Sequence, residues 1–527
     1  MATATEPLPD DVATLKRQVQ DLTSSLESRT AERDRYKAEM DRLQAMLNVL
    51  TAKRFGPTSE KAVDQYALFD EAEVETVEQG PSEPVSVPGP TRTRRGRKPL
   101  PEALPREEIR HDLAEDQKVC SADGTALKRI GEEVSEQLEV IPAKVRVRRH
   151  VRPKYACPAC EDNGIQTAPM PPQPIPGSIA SPGLLAHIAT AKYVDGLPLY
   201  RQETILGRAG VDLPRATLAR WMVRLGEAIQ PLVNLLGEGL EEGPILQMDE
   251  TSVQVLKERD RTPTTASYMW VQKGGPPGRP VVRYHYAPTR GHEVPKQLLA
   301  GFHGYLQTDG YGAYGTALAD RTDIVAVGCW AHARRKFDEA LKAQGKPKAG
   351  RAREGLAFIQ RLYAVERQAR DEKRSPEARH RLRQAQARPV IDELRAWLDD
   401  GLTAVPPKSV TGKALRYLAG QWHRLVRYLD DGRLEIDNNG AENAIRPFVV
   451  GRKNWLFSHS TAGATASANL YSLVETAKAC GHEPYAYLRH LFKELPAADS
   501  AEAYEALLPW KLDPKTLQPI PEDSPEG

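Results

Sequence analysis

No stretch of the 527-residue chain approaches the run of about 18 apolar residues that a membrane-spanning helix needs, so no membrane partner is expected. The opening residues, Met1 to Asp11, include acidic groups and no apolar segment, which argues against an export signal. Cysteine is scarce as well. The five present make an odd count, and two stand as Cys157-Pro-Ala-Cys160, a spacing that suits metal binding in a reducing compartment better than disulfide bonding. A bacterial cytoplasmic location is therefore expected. Net charge is almost missing too: 73 Lys and Arg against 71 Asp and Glu leave +2, so affinity for a polyanion has to come from local basic patches. The length in turn excludes a single hydrophobic core and predicts three or more folded units.

What is present begins with a heptad. Leu15, Val19, Leu22, Leu26, Tyr36, Met40, Leu43, Leu47 and Leu50 recur at four- and three-residue steps, with Arg29 and Arg33 in the two missing places. This predicts a coiled coil over 12–52 and self-association into a dimer or larger assembly; the alternative is one amphipathic helix packed on its own protein. Residues 71–91 are acidic, rich in Pro, Gly and Ser and poor in large apolar side chains, and predict a disordered linker. The segment 92–108 opens on Arg92-Thr-Arg94-Arg95-Gly-Arg97-Lys98-Pro99. Arg94, Arg95, Arg97 and Lys98 are candidate contacts to phosphates or an A·T-rich minor groove, against the plainer reading of a solvated basic tract.

Over 109–168 short strands surround Cys120, Cys157 and Cys160, in the manner of a zinc ribbon short of one cysteine. Tetrahedral zinc needs four ligands; the position that should pair with Cys120 is Asp123, and His111 is another candidate. One structural Zn²⁺ is expected, against a metal-free remnant with ordinary thiols. Val140 to Arg152 alternates apolar with basic residues and reads as a strand whose Lys144, Arg146, Arg148, Arg149 and Arg152 can face phosphates. Residues 178–236 turn helical. They suit a helix-turn-helix-like, DNA-binding presentation of Arg215, Arg220 and Arg224, or equally a plain helical connector.

The chemistry is concentrated further on. Pro244 to Leu256 reads as an apolar strand with Asp249 at its middle, followed by two more strands at Tyr268–Val271 and Pro280–Tyr286. A helical segment, His292 to Phe302, leads to a strand ending at Asp309-Gly, and another strand runs from Ile324 to Cys329. Three strands, helix, strand, helix, strand is the order of the RNase H fold, in which the first and fourth strands are neighbours. Asp249 and Asp309 would then converge. Carboxylates on adjacent strands repel unless cations share them, and a pair of Mg²⁺ or Mn²⁺ ions about 3.5–4 Å apart is what in-line phosphoryl transfer requires. A third acid should arrive on a later helix, and Leu434 to Pro447 reads as a loop entering a helix with Glu442 and Arg446 one turn apart. There Arg446, Arg452 or Lys453 can hold a phosphate. The separation of 133 positions between Asp309 and Glu442 is too long for a loop, and 338–430 are predicted to be an all-helical insertion. The core would thus comprise 242–337 and 431–465, with a C-terminal helical element over 466–510. Glu250 rivals Asp249, and Glu435 and Asp437 rival Glu442; spacing alone does not choose. Just after the last strand, Cys329-Trp-Ala-His332-Ala-Arg334-Arg335-Lys336 offers Cys329 and His332 as supporting residues and Arg334, Arg335 and Lys336 as DNA contacts.

At these motifs the chain closely resembles transposases of the insertion sequence 66 family. The resemblance runs from Lys53-Arg-Phe-Gly-Pro-Thr-Ser-Glu-Lys61 through the cysteine module, Met248-Asp-Glu-Thr, Gln307-Thr-Asp-Gly-Tyr and Cys329-Trp-Ala-His-Ala-Arg-Arg-Lys-Phe to Asp437-Asn-Asn-Gly-Ala-Glu-Asn-Ala-Ile-Arg-Pro. It implies a DDE triad at Asp249, Asp309 and Glu442, and a zinc-finger-like module from whose four-cysteine pattern Asp123 departs. It also implies an enzyme that cuts the ends of a mobile element and joins them to double-stranded target DNA, with or without accessory transposition proteins. A catalytically silent DNA-binding relative and a general RNase H-like nuclease are the alternatives.

Overall fold

The computed structural model describes residues 145–156, 165–344 and 349–517, together with residue 11 and most of 16–36. The predicted linker, the Arg94 to Lys98 tract, His111, Cys120, Asp123, Cys157 and Cys160 lie outside the described residues. The chain divides into two compact units, one of residues 80–168 and one of 1–79 with 169–527.

In the smaller unit a two-stranded antiparallel ribbon joins β1 (Lys154–Ala156) to β2 (Ile165–Thr167), pairing Tyr155 with Gln166. The alternating segment before it is not the expected strand. Residues 145–153 have no regular structure, and Val145, Val147 and Val151 are exposed. Alternation alone does not make a strand, and among the described residues no strand pairs with this segment.

The larger unit is a mixed α/β structure. Near its start, the described positions of 16–36 are helical and expose Val19, Leu22 and Leu26. Four helices then precede the sheet: α1 (Pro182–Tyr193), α2 (Leu199–Arg208), α3 (Arg215–Ala228) and α4 (Gln230–Glu241). Pro opens α1 behind a Ser181 cap, and Pro214 stands immediately before α3, where fixed φ and a missing N–H are harmless.

The sheet is built from β3 (Ile245–Lys257), β4 (Ala266–Gly274), β5 (Val281–Ala287), β6 (Gly304–Gln307) and β7 (Ile324–Val327), in the order β5-β4-β3-β6-β7. The first three are antiparallel, whereas β6 and β7 run parallel to β3. Between them stand two short helices, α5 (Glu293–Leu298) and α6 (Gly312–Ala317). After β7 come α7 (Trp330–Ala343), α8 (Arg351–Asp371), α9 (Pro376–Leu382), α10 (Arg388–Ala404) and α11 (Val410–Leu425). These five helices pack around Trp330, Phe337, Ile359, Leu394 and Leu418, a core separate from the one under the sheet.

The chain returns through 428–438 to α12 (Asn439–Trp455), a short strand β8 (Ser458–Ser460) beside the far end of β3, and then α13 (Thr461–Ala479), α14 (Pro484–Glu494) and α15 (Ala501–Ala506). α13 covers the β5 edge. Its Ser472 and Thr476 hydroxyls accept the outward N–H groups of Tyr284 (2.7 Å) and Val282 (3.0 Å), which closes an edge that would otherwise template pairing with another chain. No helix among the described residues is long and apolar enough to cross a membrane.

Candidate active site

The site grows from the parallel pairing of β3 with β6. Gln247 stands opposite Gln307, and the Gln247 amide donates to Gln307 Oε1 at 2.9 Å. Two residues further on come Asp249, within β3 and on the Gln247 face, and Asp309, just past the end of β6. Asp309 leaves the strand at a turn; its Oδ1 accepts the Tyr311 N–H at 2.8 Å, and Gly310 takes a left-handed φ of 85°.

The returning loop is tied onto these strand ends by backbone carbonyls. Gln307 donates to Glu435 O (2.8 Å) and Gly328 O (3.2 Å), and the Asn438 amide donates to Met248 O at 2.8 Å. This sets the N-terminus of α12 against β3 so closely that a Cβ on Gly440 would stand 1.9 Å from Gln247 Oε1. A larger residue there would displace the Gln247 amide from its bond to Gln307. Glu442, in the first turn of α12, is thereby delivered to the Asp249 face and is 7 % exposed.

Electrostatics identifies what this arrangement lacks. Burial, followed by the charges of Glu250, Glu442 and Asp309, pushes the Asp249 carboxyl well above the usual carboxylate range. Glu442 is also raised, by burial and by Asp437 and Asp309, against the pull of Arg335 and Arg446. Arg335 comes no nearer than 3.9 Å to Glu442 Oε2, and the buried Oε1 has no hydrogen-bond partner.

The rival acids are differently placed. Glu250 points to the other face, where its buried carboxylate meets Arg290 at 2.5 Å and accepts the Tyr314 hydroxyl at 2.6 Å. Glu435 is paired with Arg379 at 2.8 Å. Asp437 accepts the Tyr363 hydroxyl at 2.8 Å and the Asn439 N–H at 3.1 Å.

Cys329 and His332 also belong here. Cys329 precedes α7, and its buried Sγ accepts the Asn438 N–H at 3.3 Å and lies 3.3 Å from His332 Nδ1. That nitrogen is 3.6 Å from Glu442 Oε1, and donor atoms of Cys329, His332 and Glu442 all fall within 4.8 Å of one another, a spacing that one metal ion can bridge. Burial and then Arg335 lower the His332 pKa to about 4, so the ring is neutral at pH 7 and keeps a lone pair. Burial, then Asp437 and Glu442, hold the Cys329 thiol well above its usual range.

Of the predicted DNA contacts, Arg215 and Arg220 are exposed on α3, whose Leu218, Trp221 and Leu225 are buried. Arg334 is corrected: at 5 % exposure it faces the interior, because α7 turns that position toward its own helical neighbours. Arg335, Lys336 and Arg446 are half-buried, and Lys453 is exposed. Arg452 is held by Thr251 Oγ1 at 3.1 Å. The reading from sequence missed Gln247, Gln307, Asn438 and Arg290. The first two had a signal, since Gln-x-Asp occurs at both strand ends, in Gln247-Met-Asp249 and Gln307-Thr-Asp309.

Comparison with known proteins gives four family matches along the chain. Residues 177–466 match the model described as transposase IS66 family, and 472–510 the IS66 C-terminal element. Residues 117–161 match the zinc-finger binding domain of transposase IS66, and 42–109 the model described as transposase C of IS166 homeodomain. Among curated proteins, the chain is 34 % identical over 544 aligned residues to the uncharacterized protein y4qI of Sinorhizobium fredii, covering 97 % of this chain and 98 % of the relative. It is 35 % identical over 424 residues to the uncharacterized protein y4jD of the same organism, covering 78 % and 81 %. The chain belongs to the IS66 transposase family.

Proposed function

We propose that the chain binds the ends of a mobile DNA element and catalyses divalent-metal-dependent strand cleavage and strand transfer into double-stranded target DNA, with Asp249, Asp309 and Glu442 as the catalytic acids. On this reading the sheet with α12 is an RNase H-like core, 242–337 joined by 431–465, and 338–430 is a helical insertion. The observation that carries it is the buried Glu442 oxygen without a hydrogen-bond partner beside Asp249, whose carboxyl is held well above the usual range by burial and then by the charges of Glu250, Glu442 and Asp309. Such a donor set fits hard divalent cations, which neutralise the carboxylates. Bound there, two Mg²⁺ or Mn²⁺ ions would lower the pKa of an attacking water or 3′-hydroxyl and stabilise the leaving oxygen.

The protein's own groups supply position and water exclusion. Asp249 and Asp309 are held in register by the Gln247–Gln307 bond, and Asn438 fixes the approach of α12. Arg335 and Arg446 flank Glu442 and would hold the phosphate about to react. Arg215, Arg220, Lys336, Arg452 and Lys453, with Arg94, Arg95, Arg97 and Lys98, would carry backbone contacts further out. We place a structural Zn²⁺ in the cysteine module, on Cys120, Cys157 and Cys160 with Asp123 or His111, and self-association in 12–52. The test is purified full-length protein with labelled duplexes drawn from the DNA flanking the gene. Joined products in Mg²⁺ that disappear in Asp309→Asn are expected; joining that survives that substitution removes the metal-site argument. Cleavage of any duplex regardless of its end sequence would favour a general nuclease instead.

A further inference from the structure

Helix α12 carries the third acid at its N-terminus, and its other end has an unusual terminus. Helices commonly stop on Gly or Asn in a left-handed conformation, since those residues tolerate it. Here the residue is Leu456, with φ 66° and ψ −49°. The Phe457 N–H donates to Trp455 O at 2.9 Å across it, which makes residues 455–457 a γ-turn of the rare, strained hand. The two side chains that this turn projects are large, apolar and open to solvent: Leu456 is 64 % and Phe457 42 % exposed. Strain that points a leucine and a phenylalanine into water does not serve the core, and exposed apolar tips of this kind mark places where partners bind.

The surroundings say what kind of partner. Ser458 and Ser460, directly after the turn, pair with Val255 and Lys257 at the outer end of β3. Lys257 is exposed, Arg259 is almost fully exposed, and Lys453 stands one helical turn before Leu456. Two acids lie in the same stretch: Asp260 is 3.5 Å from Arg259, and Glu258 is occupied by Arg261 and the Tyr286 hydroxyl. An apolar tip among cations suits a polyanion with stacked apolar planes inside it. The position also agrees, because fourteen residues separate Glu442 from Leu456. At about 1.5 Å per residue that is about 21 Å, or about six base pairs of duplex.

We propose that Leu456 and Phe457 form a wedge that enters a base step of duplex DNA about six base pairs from the reacting phosphate, unstacking it and kinking the helix. This rests on the transposase reading above and adds to it a DNA-distorting element outside the acid site. Apolar side chains inserted in this way act against stacking energy, so a duplex already unstacked at one step is the better ligand.

The test uses full-length protein in Ca²⁺, to limit cleavage, and a mixed-sequence duplex of roughly 30 base pairs, intact or with one central abasic site, at fixed salt. Wild-type protein is expected to bind the abasic duplex about tenfold more tightly, with increased fluorescence from a 2-aminopurine beside the gap. In Leu456→Gly and in Phe457→Ala that preference falls to within about twofold, while affinity for intact duplex holds, because cations supply it. Leu456→Gly relieves the strained φ, so its melting temperature should equal or exceed the wild-type value, which separates loss of the wedge from loss of the fold. Equal wild-type affinity for the two duplexes overturns the wedge alone. A DNA-free change in sedimentation caused by either substitution overturns it in favour of a second copy of the chain. Failure to bind either duplex overturns the DNA reading itself.

Discussion

Two places in this protein bury carboxylates, and they treat them in opposite ways. Glu366, on α8, is almost wholly enclosed, and two guanidinium groups close on it: Arg383 at 2.7 and 2.8 Å, Arg379 at 2.6 and 2.8 Å. Arg383 has no exposure and gives its remaining donors to the carbonyls of Tyr428, Asp431 and Leu434, so one ion pair also anchors the chain's return to the sheet. About 190 residues apart in sequence, Asp249 and Glu442 are buried near each other and Asp309, with Arg335 at 3.9 Å and the weaker pull of Arg446 to offset them, and burial raises both. The first cluster is complete as folded. The second keeps its like charges incompletely compensated, and on the function proposed above cations would complete it.

The sharpest way to break this contrast is substitution in both clusters, read for activity and for stability. Glu442→Gln and Asp249→Asn should each reduce strand cleavage about 10³-fold or more, the consequence of losing several kcal/mol of charge stabilisation, while leaving the melting temperature unchanged or higher. Glu366→Gln should do the reverse. It leaves Arg383 buried without its anion and costs about 3–5 kcal/mol in stability, seen as a lower urea midpoint. If Glu442→Gln unfolds the protein and Glu366→Gln does not, the roles assigned to the two clusters are wrong.

Acidity provides a smaller, reversible test. Because the folded-state pKa values of Asp249 and Glu442 lie above their unfolded values, their contribution to stability is complete below about pH 4 and is lost as pH rises through the raised values. Metal-free protein should therefore be penalised at neutral pH, and ions that bind the ionised pair should relieve the penalty. Saturating Mg²⁺ is expected to raise the melting temperature by a few degrees at about pH 8 and hardly at all at about pH 5. In Glu442→Gln the pH dependence of that gain should shrink. A gain that is the same at both values would show that these acids are not where the ions bind.

Why one cluster could be read from the sequence and the other could not follows from the physics. Asp249 interrupts an apolar strand, Asp309 directly follows one, and Glu442 lies in the first turn of a helix behind Asp437-Asn-Asn-Gly, although spacing left Glu250, Glu435 and Asp437 as rivals. The Glu366–Arg383 pair offers no such contrast in a chain with 71 acidic and 73 basic residues, since a charge on an Arg- and Glu-rich helix reads as solvent-facing. Its burial depends on a π-helical segment, Arg383–Ala387, and on three carbonyls some fifty residues later. Arg334 misled for a related reason: it and Arg335 are adjacent in sequence, but on a helix adjacent residues point about 100° apart, and packing decides which goes inside. The alternating residues 145–152 misled because a strand is defined by its partner.

The finest test concerns the side of the acid site where Cys329 and His332 approach Glu442. Mg²⁺ prefers oxygen donors, whereas Mn²⁺ and above all Zn²⁺ accept imidazole, and Zn²⁺ accepts thiolate. If the two residues only shape the pocket, Cys329→Ser and His332→Gln should change Mg²⁺- and Mn²⁺-supported cleavage by the same small factor. If His332 Nδ1, 3.6 Å from Glu442 Oε1, can join the coordination sphere, His332→Gln should leave Mg²⁺-supported cleavage within a few-fold and weaken apparent Mn²⁺ affinity about tenfold. Cys329→Ser should then relieve inhibition by added Zn²⁺, since the thiolate is the donor that would hold that ion beside the glutamate. We expect the second pattern, because a neutral imidazole and a buried thiol gathered within 4.8 Å of that carboxylate oxygen are a donor set suited to a softer metal.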